Sequence, residues 1–245
     1  MKMTRPVIAP AMPGARLARR RMLALLGASG VAALAASARP QAAAELSCTV
    51  RPRQTEGPYF VDEPLNRSDL RSDSRSGQIK PGISLRLALR VSRLTEANCD
   101  PLAGARVDVW HCDAEGRYSD VRAPGFGVST AGAHFLRGYQ VTDAHGMVRF
   151  LTIYPGWYFG RAVHMHLKIR FPGALGAAPE FTSQLYFDER VTERVYARAP
   201  YARRAQRWLR NADDALYRDG GRDLTLAPEP DGEDYAARLD LALTA

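Results

Sequence analysis

Along the middle of the chain, Ile83, Leu85, Leu87, Leu89 and Val91 alternate with Ser84, Arg86, Ala88, Arg90 and Ser92. A period of two puts the apolar side chains on one face of an extended strand and is incompatible with a helix, whose faces repeat near 3.6 residues. Shorter β-rich runs follow at 106–112, 136–142, 148–153, 163–171 and 181–187, most of them separated by Gly, Pro, Asn or Asp. Many short strands punctuated by turns predict a mainly β fold, a sandwich or barrel. The pattern changes over 189–214, which is rich in Arg, Ala, Glu and Leu and broken by Pro200. Short helices after the β core are expected there, and a last strand near 235–243. There is no internal repeat, no low-complexity tract after the first 44 residues, and no Gly-rich phosphate loop.

The chain has 245 residues, 46% of them hydrophobic, enough to bury one full core with appendages. Its formal charge of +8 suggests a polyanion until the charge is located. Lys2, Arg5, Arg16, Arg19, Arg20, Arg21 and Arg39 lie in the first 44 residues, which contain no acid; the remainder holds 27 basic and 26 acidic residues, net +1. No basic stripe interleaved with aromatics tracks a phosphate backbone, so nucleic acid is not an expected partner.

Residues 1–44 read as a leader: a basic stretch ending Arg19-Arg20-Arg21-Met22-Leu23, an apolar run to about Ala36, then Ala42-Ala43-Ala44 before Glu45. This resembles a twin-arginine export signal. The apolar run of about fifteen residues is shorter than the roughly twenty that a spanning helix needs. No stable membrane anchor is expected, and Glu45-Leu46-Ser47 ahead of Cys48 is not a lipobox. We therefore expect a cleaved signal at 1–44, a single β domain at 45–245, and a product exported to the periplasm or secreted. Twin-arginine machinery carries folded proteins, which suits a cofactor loaded before export. Cys48, Cys99 and Cys112 fit an oxidising destination with one disulfide and one thiol. Three pairings are open to the sequence; Cys48 with Cys99 is the one we expect, leaving Cys112 as a buried strand thiol.

The chemistry concentrates in Tyr158-Phe159-Gly160-Arg161-Ala162-Val163-His164-Met165-His166. On a strand, His164 and His166 face the same side and present two imidazoles to one ion. Two further strand ends deliver phenols: an Asp and Gly turn after 107–112 leads to Tyr118, and the Pro155-Gly156 turn after 148–153 leads to Tyr158.

With these residues the chain resembles the intradiol ring-cleavage dioxygenases, closest to the protocatechuate 3,4-dioxygenase type and its exported relatives. The blocks that carry the resemblance are Thr55-Glu56-Gly57-Pro58-Tyr59, Trp110 to Tyr118, Thr142-Asp143 through Gly146 to Phe150, Pro155-Gly156-Trp157-Tyr158, Arg161 to His166, and Gln184-Leu185-Tyr186-Phe187. They run in the family's order from about residue 50 to 190, and the resemblance implies that the fold is the antiparallel β-sandwich and not the barrel. The resemblance implies one non-haem Fe(III) per chain held by Tyr118, Tyr158, His164 and His166. Phenolate, a hard and strongly donating anion, favours the ferric ion, and imidazole suits iron in general. It also implies that Arg161 and Gln184 line the substrate, that Tyr59 edges its pocket, and that Tyr158 doubles as a base. The implied reaction cleaves a catechol-type ring between its hydroxylated carbons with O2, giving a cis,cis-muconate type diacid. Arg161 would stabilise negative charge on the carbon under attack.

Trp110 and Trp157 are expected in the core, and Asp113 is expected to fix the turn that aims Tyr118. His111, His134 and His145 are expected to be structural or solvent-facing. A cupin-type metal site would want a Glu soon after His-x-His, and Leu167-Lys168-Ile169-Arg170 supplies none. The alternative function is a catalytically silent iron-binding or carrier-type β-sandwich module, separable by its failure to consume O2 with catechols. With only about ten residues between the expected cleavage site and Thr55, an N-terminal helical dimerisation region of the catechol-cleaving kind is not expected. Whether the chain forms a homo-oligomer is open to the sequence, as is the ring substituent accepted, which depends on the loop at 121–133.

Overall fold

The computed structural model describes residues 49–96, 98–122, 129–171, 180–204 and 207–244. The expected leader and Cys48, and with it the expected Cys48–Cys99 pairing, lie outside the described residues.

Among the described residues, ten strands form two sheets. In the first, β1 (Ser84–Leu94) is central. It pairs in parallel with β10 (Asp234–Thr244) on one side. On the other it pairs antiparallel with β5 (Met147–Ile153) and, further along, with β2 (Cys99–Pro101). The short β9 (Glu229–Asp231) extends the far edge of β10. The second sheet runs β4 (Arg137–Val141), β3 (Arg106–Trp110), β6 (His164–Arg170), β7 (Glu180–Phe187) and β8 (Thr225–Leu226). Its pairs are antiparallel except β7 with β8. The expected sandwich is present, with β1–β10 and β7–β8 as its parallel exceptions.

The alternation that predicted β1 is the burial pattern: Leu85, Leu87, Leu89 and Val91 point inward. They join Tyr235, Leu239, Leu241 and Leu243 of β10 with Val107, Val109, Leu167, Ile169, Leu185 and Phe187 of the second sheet in one buried cluster. Burying each large aliphatic side chain here contributes about 1.5 to 3 kcal/mol, so this shared layer holds the sheets together. The expected helical region contains α1 (Glu189–Tyr196), capped by the Asp188 carboxylate on Arg190 N and Val191 N, then 3-10 turns and α2 (Ala215–Arg218). No helix among the described residues is long and apolar enough to cross a membrane.

The second sheet is buried on both faces, and this positions the site. On β6, Met165, Leu167 and Ile169 face the core, while His164, His166, Lys168 and Arg170 face outward yet stay covered, His166 at 1% exposure. The cover is the N-terminal arm at 52–63. Gln54 N donates to Thr182 O (3.0 Å), and Gln184 Nε2 donates to Thr55 O (2.9 Å). Phe60 packs on Trp110 with centroids 4.9 Å apart and lies under the Lys168 ammonium. Asp62 pairs with Arg106 and Arg170, both at 3.0 Å.

Candidate metal centre

Strand register assembles the floor of the site. Trp110 of β3 lies opposite His166 of β6, which lies opposite Gln184 of β7, and His164 lies opposite Tyr186. Residues opposite one another in antiparallel pairs share a face, so these side chains form a continuous outward patch. His164 and His166 stand with ring centroids 4.9 Å apart, as the period of two predicts.

Two loops bring the phenols over this floor. After β3, the Asp113 carboxylate accepts from Glu115 N (3.0 Å) and Arg117 N (2.9 Å) and pairs with Lys80 at 2.7 Å, closing the expected turn ahead of Tyr118. Gly116 in that turn has φ +87°, and a Cβ there would lie 2.2 Å from the carbonyl oxygen of Trp157. Glycine thus lets the Tyr118 loop press against the Tyr158 loop. The resulting ring separations are 5.8 Å for Tyr118–Tyr158, 6.0 Å for Tyr118–His166 and 5.4 Å for Tyr158–His164. Tyr59 stacks on Tyr118 at 4.5 Å and meets Tyr158 edge-on at 5.9 Å. Just before it, Gly57 takes φ +72°, and a Cβ there would stand 3.1 Å from His166 Cε1.

The hydrogen bonding is uneven in a telling way. His164 Nδ1 lies 2.7 Å from Ala162 O, and since a carbonyl only accepts, Nδ1 carries the proton and Nε2 keeps a lone pair. That Nε2 sits 3.3 Å from Tyr158 Oη and 3.4 Å from Arg161 Nη1. Among the described residues, six buried side-chain polar atoms find no hydrogen-bond partner, and three of them are Tyr118 Oη and both ring nitrogens of His166. Each orphaned group costs about 1 to 3 kcal/mol, so their concentration at one point calls for a ligand.

The ionisation states fit a cation. Burial, reinforced by Arg161, depresses His164 to about 3, and burial together with the His164 and Arg161 charges holds His166 well below 6.5. Both imidazoles therefore offer neutral lone pairs at neutral pH. Burial pushes Tyr118 well above 10 and Tyr158 up to about 12, Arg161 partly offsetting the latter. A buried phenol with no cation beside it stays protonated, whereas a multivalent cation would stabilise the phenolate. No group of three or more His, Cys, Asp or Glu side chains gathers as a metal site among the described residues. The donors that do converge are two imidazoles and two phenols, a set that fits a hard ferric ion.

Arg161 frames the site rather than making a surface ion pair. Its side chain is 16% exposed; Nε bonds Asp214 Oδ2 at 2.9 Å, Nη2 bonds Gln184 Oε1 at 2.6 Å, and Nη1 faces Tyr158 Oη at 3.3 Å. All seven residues expected at the site, Tyr59, Tyr118, Tyr158, Arg161, His164, His166 and Gln184, are thus in one neighbourhood. His111 is buried and bonds Cys112 O and Thr152 Oγ1; His134 bonds Ser74 and Glu63; His145 is exposed. These are the structural and solvent-facing places expected.

Both tryptophans are buried as expected: Trp157 lies in the main core, and Trp110 in a second buried cluster with Cys112 and Tyr118, where it stacks on His166, 5.0 Å between centroids with an 8° interplanar angle. Alternation told which residues share its face, not that an arm covers that face. The sequence also left unremarked Asp214, Tyr186 as a neighbour of Arg161, and Arg137. The buried Arg137 guanidinium bonds Ser119 Oγ at 2.6 Å, contacts the Ser119 carbonyl, and lies 3.4 Å from Tyr59 O, tying the backbone of Tyr59 to that of Ser119, the residue after Tyr118. An outward Arg opposite Trp110 in register was the available signal.

Comparison with known proteins bears on the family and the fold. A family model described as "Dioxygenase" matches residues 55–199, more than half of the chain. The intradiol ring-cleavage dioxygenase of Tetranychus urticae superimposes with TM-score 0.69 at 28% identity, over 80% of this chain and 95% of that one. The dioxygenase domain of a dioxygenase carbohydrate-binding fusion from Streptomyces sp. SirexAA-E gives TM-score 0.57 at 27% identity, over 80% and 99%. Hydroxyquinol 1,2-dioxygenase of Corynebacterium glutamicum is 30% identical over 103 residues, 40% of this chain. The match spans only 29% of that enzyme's length.

Proposed function

The chain belongs to the intradiol ring-cleavage dioxygenase family, and from that premise we propose that it cleaves a catechol-type ring between the hydroxylated carbons with O2. The product would be a cis,cis-muconate type diacid. One C–C bond breaks, each flanking carbon gains one oxygen atom, and O2 takes its electrons from the ring, so no external reductant is needed. The observation that carries this reading is the convergence of two neutral imidazoles and two phenols, with Tyr118 Oη and His166 left without hydrogen-bond partners.

Tyr118, Tyr158, His164 through Nε2, and His166 would hold one Fe(III). Bound there, the ferric ion would supply a Lewis acid and electron acceptor for a catecholate. Tyr158 is the half-buried phenol of the pair, and its Oη is the atom suited to take a proton from a substrate hydroxyl. Arg161 Nη1, 3.3 Å from that oxygen, would stabilise negative charge on the ring carbon under attack. Gln184 keeps the guanidinium turned toward the site through Oε1 while Nε2 anchors it to Thr55 O. The Tyr59 ring, stacked on Tyr118, would form a wall for a planar substrate. The residues at 1–44 would direct export by the twin-arginine route, which points to extracytoplasmic phenolics as substrates.

An oxygen electrode with the iron-loaded protein tests the reading. Catechol, protocatechuate and hydroxyquinol are offered in turn, and products are identified by mass. Uptake of one O2 per ring with a diacid product supports it. A protein that binds iron but consumes no O2 with any catechol would instead be the silent binding module.

A further inference from the structure

We propose that Asp214 is the residue that positions Arg161, and that the segment after residue 199 is therefore part of the catalytic apparatus. Asp214 is 53 residues from Arg161 in the chain and beyond the last residue matched to the family. It is nevertheless buried at the site's edge, its side chain 2% exposed. Oδ2 receives both Arg161 Nε (2.9 Å) and Ala162 N (2.8 Å), while Oδ1 receives Leu216 N (2.8 Å), at the start of α2. One carboxylate thus fixes the guanidinium, the backbone beside it and the C-terminal turn.

The guanidinium has three nitrogens, and the structure assigns each a task. Nε goes to Asp214 and Nη2 to Gln184 Oε1, so rotation about the last side-chain bonds is blocked from both ends. Only Nη1 remains for the reacting region, between Tyr158 Oη and His164 Nε2. A planar fork held at two points presents its third edge at a fixed position. Burial alone would raise the Asp214 pKa, but the Ala162 amide and the Arg161 charge outweigh it and hold it low, so the anion persists at neutral pH. Its negative charge also balances an arginine that would otherwise stand unpaired beside two buried histidines.

The kinetic part of the test rests on the ring-cleavage reading; the spectroscopic part does not. In protein labelled with 15N-arginine, the Arg161 Nε–H resonance is identified by its loss in Arg161→Lys, and its exchange with solvent is measured. Asp214 predicts a resonance that exchanges more slowly than those of exposed arginines and loses that protection in Asp214→Asn. A wild-type Arg161 Nε–H exchanging as fast as an exposed one overturns the proposal, whether or not catechols are cleaved and whether or not the variant folds. On the active enzyme, Asp214→Asn should lower kcat about 10- to 100-fold with a smaller change in KM, the scale typical of supporting-shell losses. Arg161→Ala should lose about 10²- to 10³-fold, and the double variant should be no slower than Arg161→Ala alone, because both remove one arrangement. Losses that multiply would mean that Asp214 acts independently of Arg161 and would refute the assignment. Protection lost in Asp214→Asn with a wild type inert toward catechols would keep the positioning role and reject the ring-cleavage reading.

Discussion

Tyr158 Oη lies 3.3 Å from His164 Nε2 although one residue belongs to a loop and the other opens a strand. The contact exists because His164 Nδ1 is committed to Ala162 O, which turns its free lone pair toward the phenol. A strand that fixes two imidazoles and loops that bring two phenols to them make a donor set that one ion can unite.

Gly57 tests how tightly the arm supports that set. Gly57→Ala meets an unfavourable φ and a contact of 3.1 Å with His166 Cε1. It should cost about 1 to 2 kcal/mol of stability and tilt the His166 ring. Thermal unfolding and iron titration check this; unchanged melting together with unchanged iron affinity would show that the arm does not constrain His166.

Tyr118→Phe should separate stability from function. Removing a buried hydroxyl that lacks a partner should leave the iron-free protein as stable or more stable, by about 1 kcal/mol. The same change should weaken ferric binding. A large loss of stability in the iron-free variant would mean that the hydroxyl has a partner after all.

Asp73 should contribute to acid stability. Burial works to raise its pKa, but Arg75 N, Ser76 N, Ser76 Oγ and His134 N all donate to the carboxylate and hold it below 3.8. A group depressed on folding stabilises fully above its unfolded pKa and loses that contribution as pH falls through the folded value. Asp73→Asn should therefore cost about 1 to 3 kcal/mol at neutral pH. Its difference from the natural protein should shrink below about pH 4. A difference that is constant from pH 7 to pH 2 would rule out the charge as its origin.

Cys112 should be inert. It is 1% exposed, and burial raises its pKa strongly, so little thiolate is available to react. Alkylation of the native protein followed by peptide mass analysis should leave Cys112 unmodified until denaturant is added. Rapid labelling without denaturant would show that the region behind Tyr118 opens.

Much of this architecture is legible in the chain because a strand writes its faces directly into the sequence. The Leu85 to Val91 alternation gives β1, and His-x-His gives the two imidazoles, since both depend on a period of two and nothing else. Tyr118 and Tyr158 are legible through the resemblance of their turns to a family. Elements of two or three residues, β8 and β9, carry too little pattern to register, and Pro230 in β9 argues against a strand at all. Asp214 is hidden for another reason: its partner is set by tertiary approach across 53 residues, which no local spacing encodes. The arm over the outer face, which buries Trp110 and His166 there, is likewise set by tertiary approach and not by any local pattern.

The most direct test of the central claim is the visible absorption spectrum of the ferric-loaded protein before and after catechol is added, recorded beside Tyr118→Phe and Tyr158→Phe. The account predicts a strong tyrosinate-to-iron band that shifts when catechol binds and is altered in each variant. A colourless protein after ferric loading, or a band indifferent to both substitutions, would remove Tyr118 and Tyr158 as ligands and contradict the proposed centre.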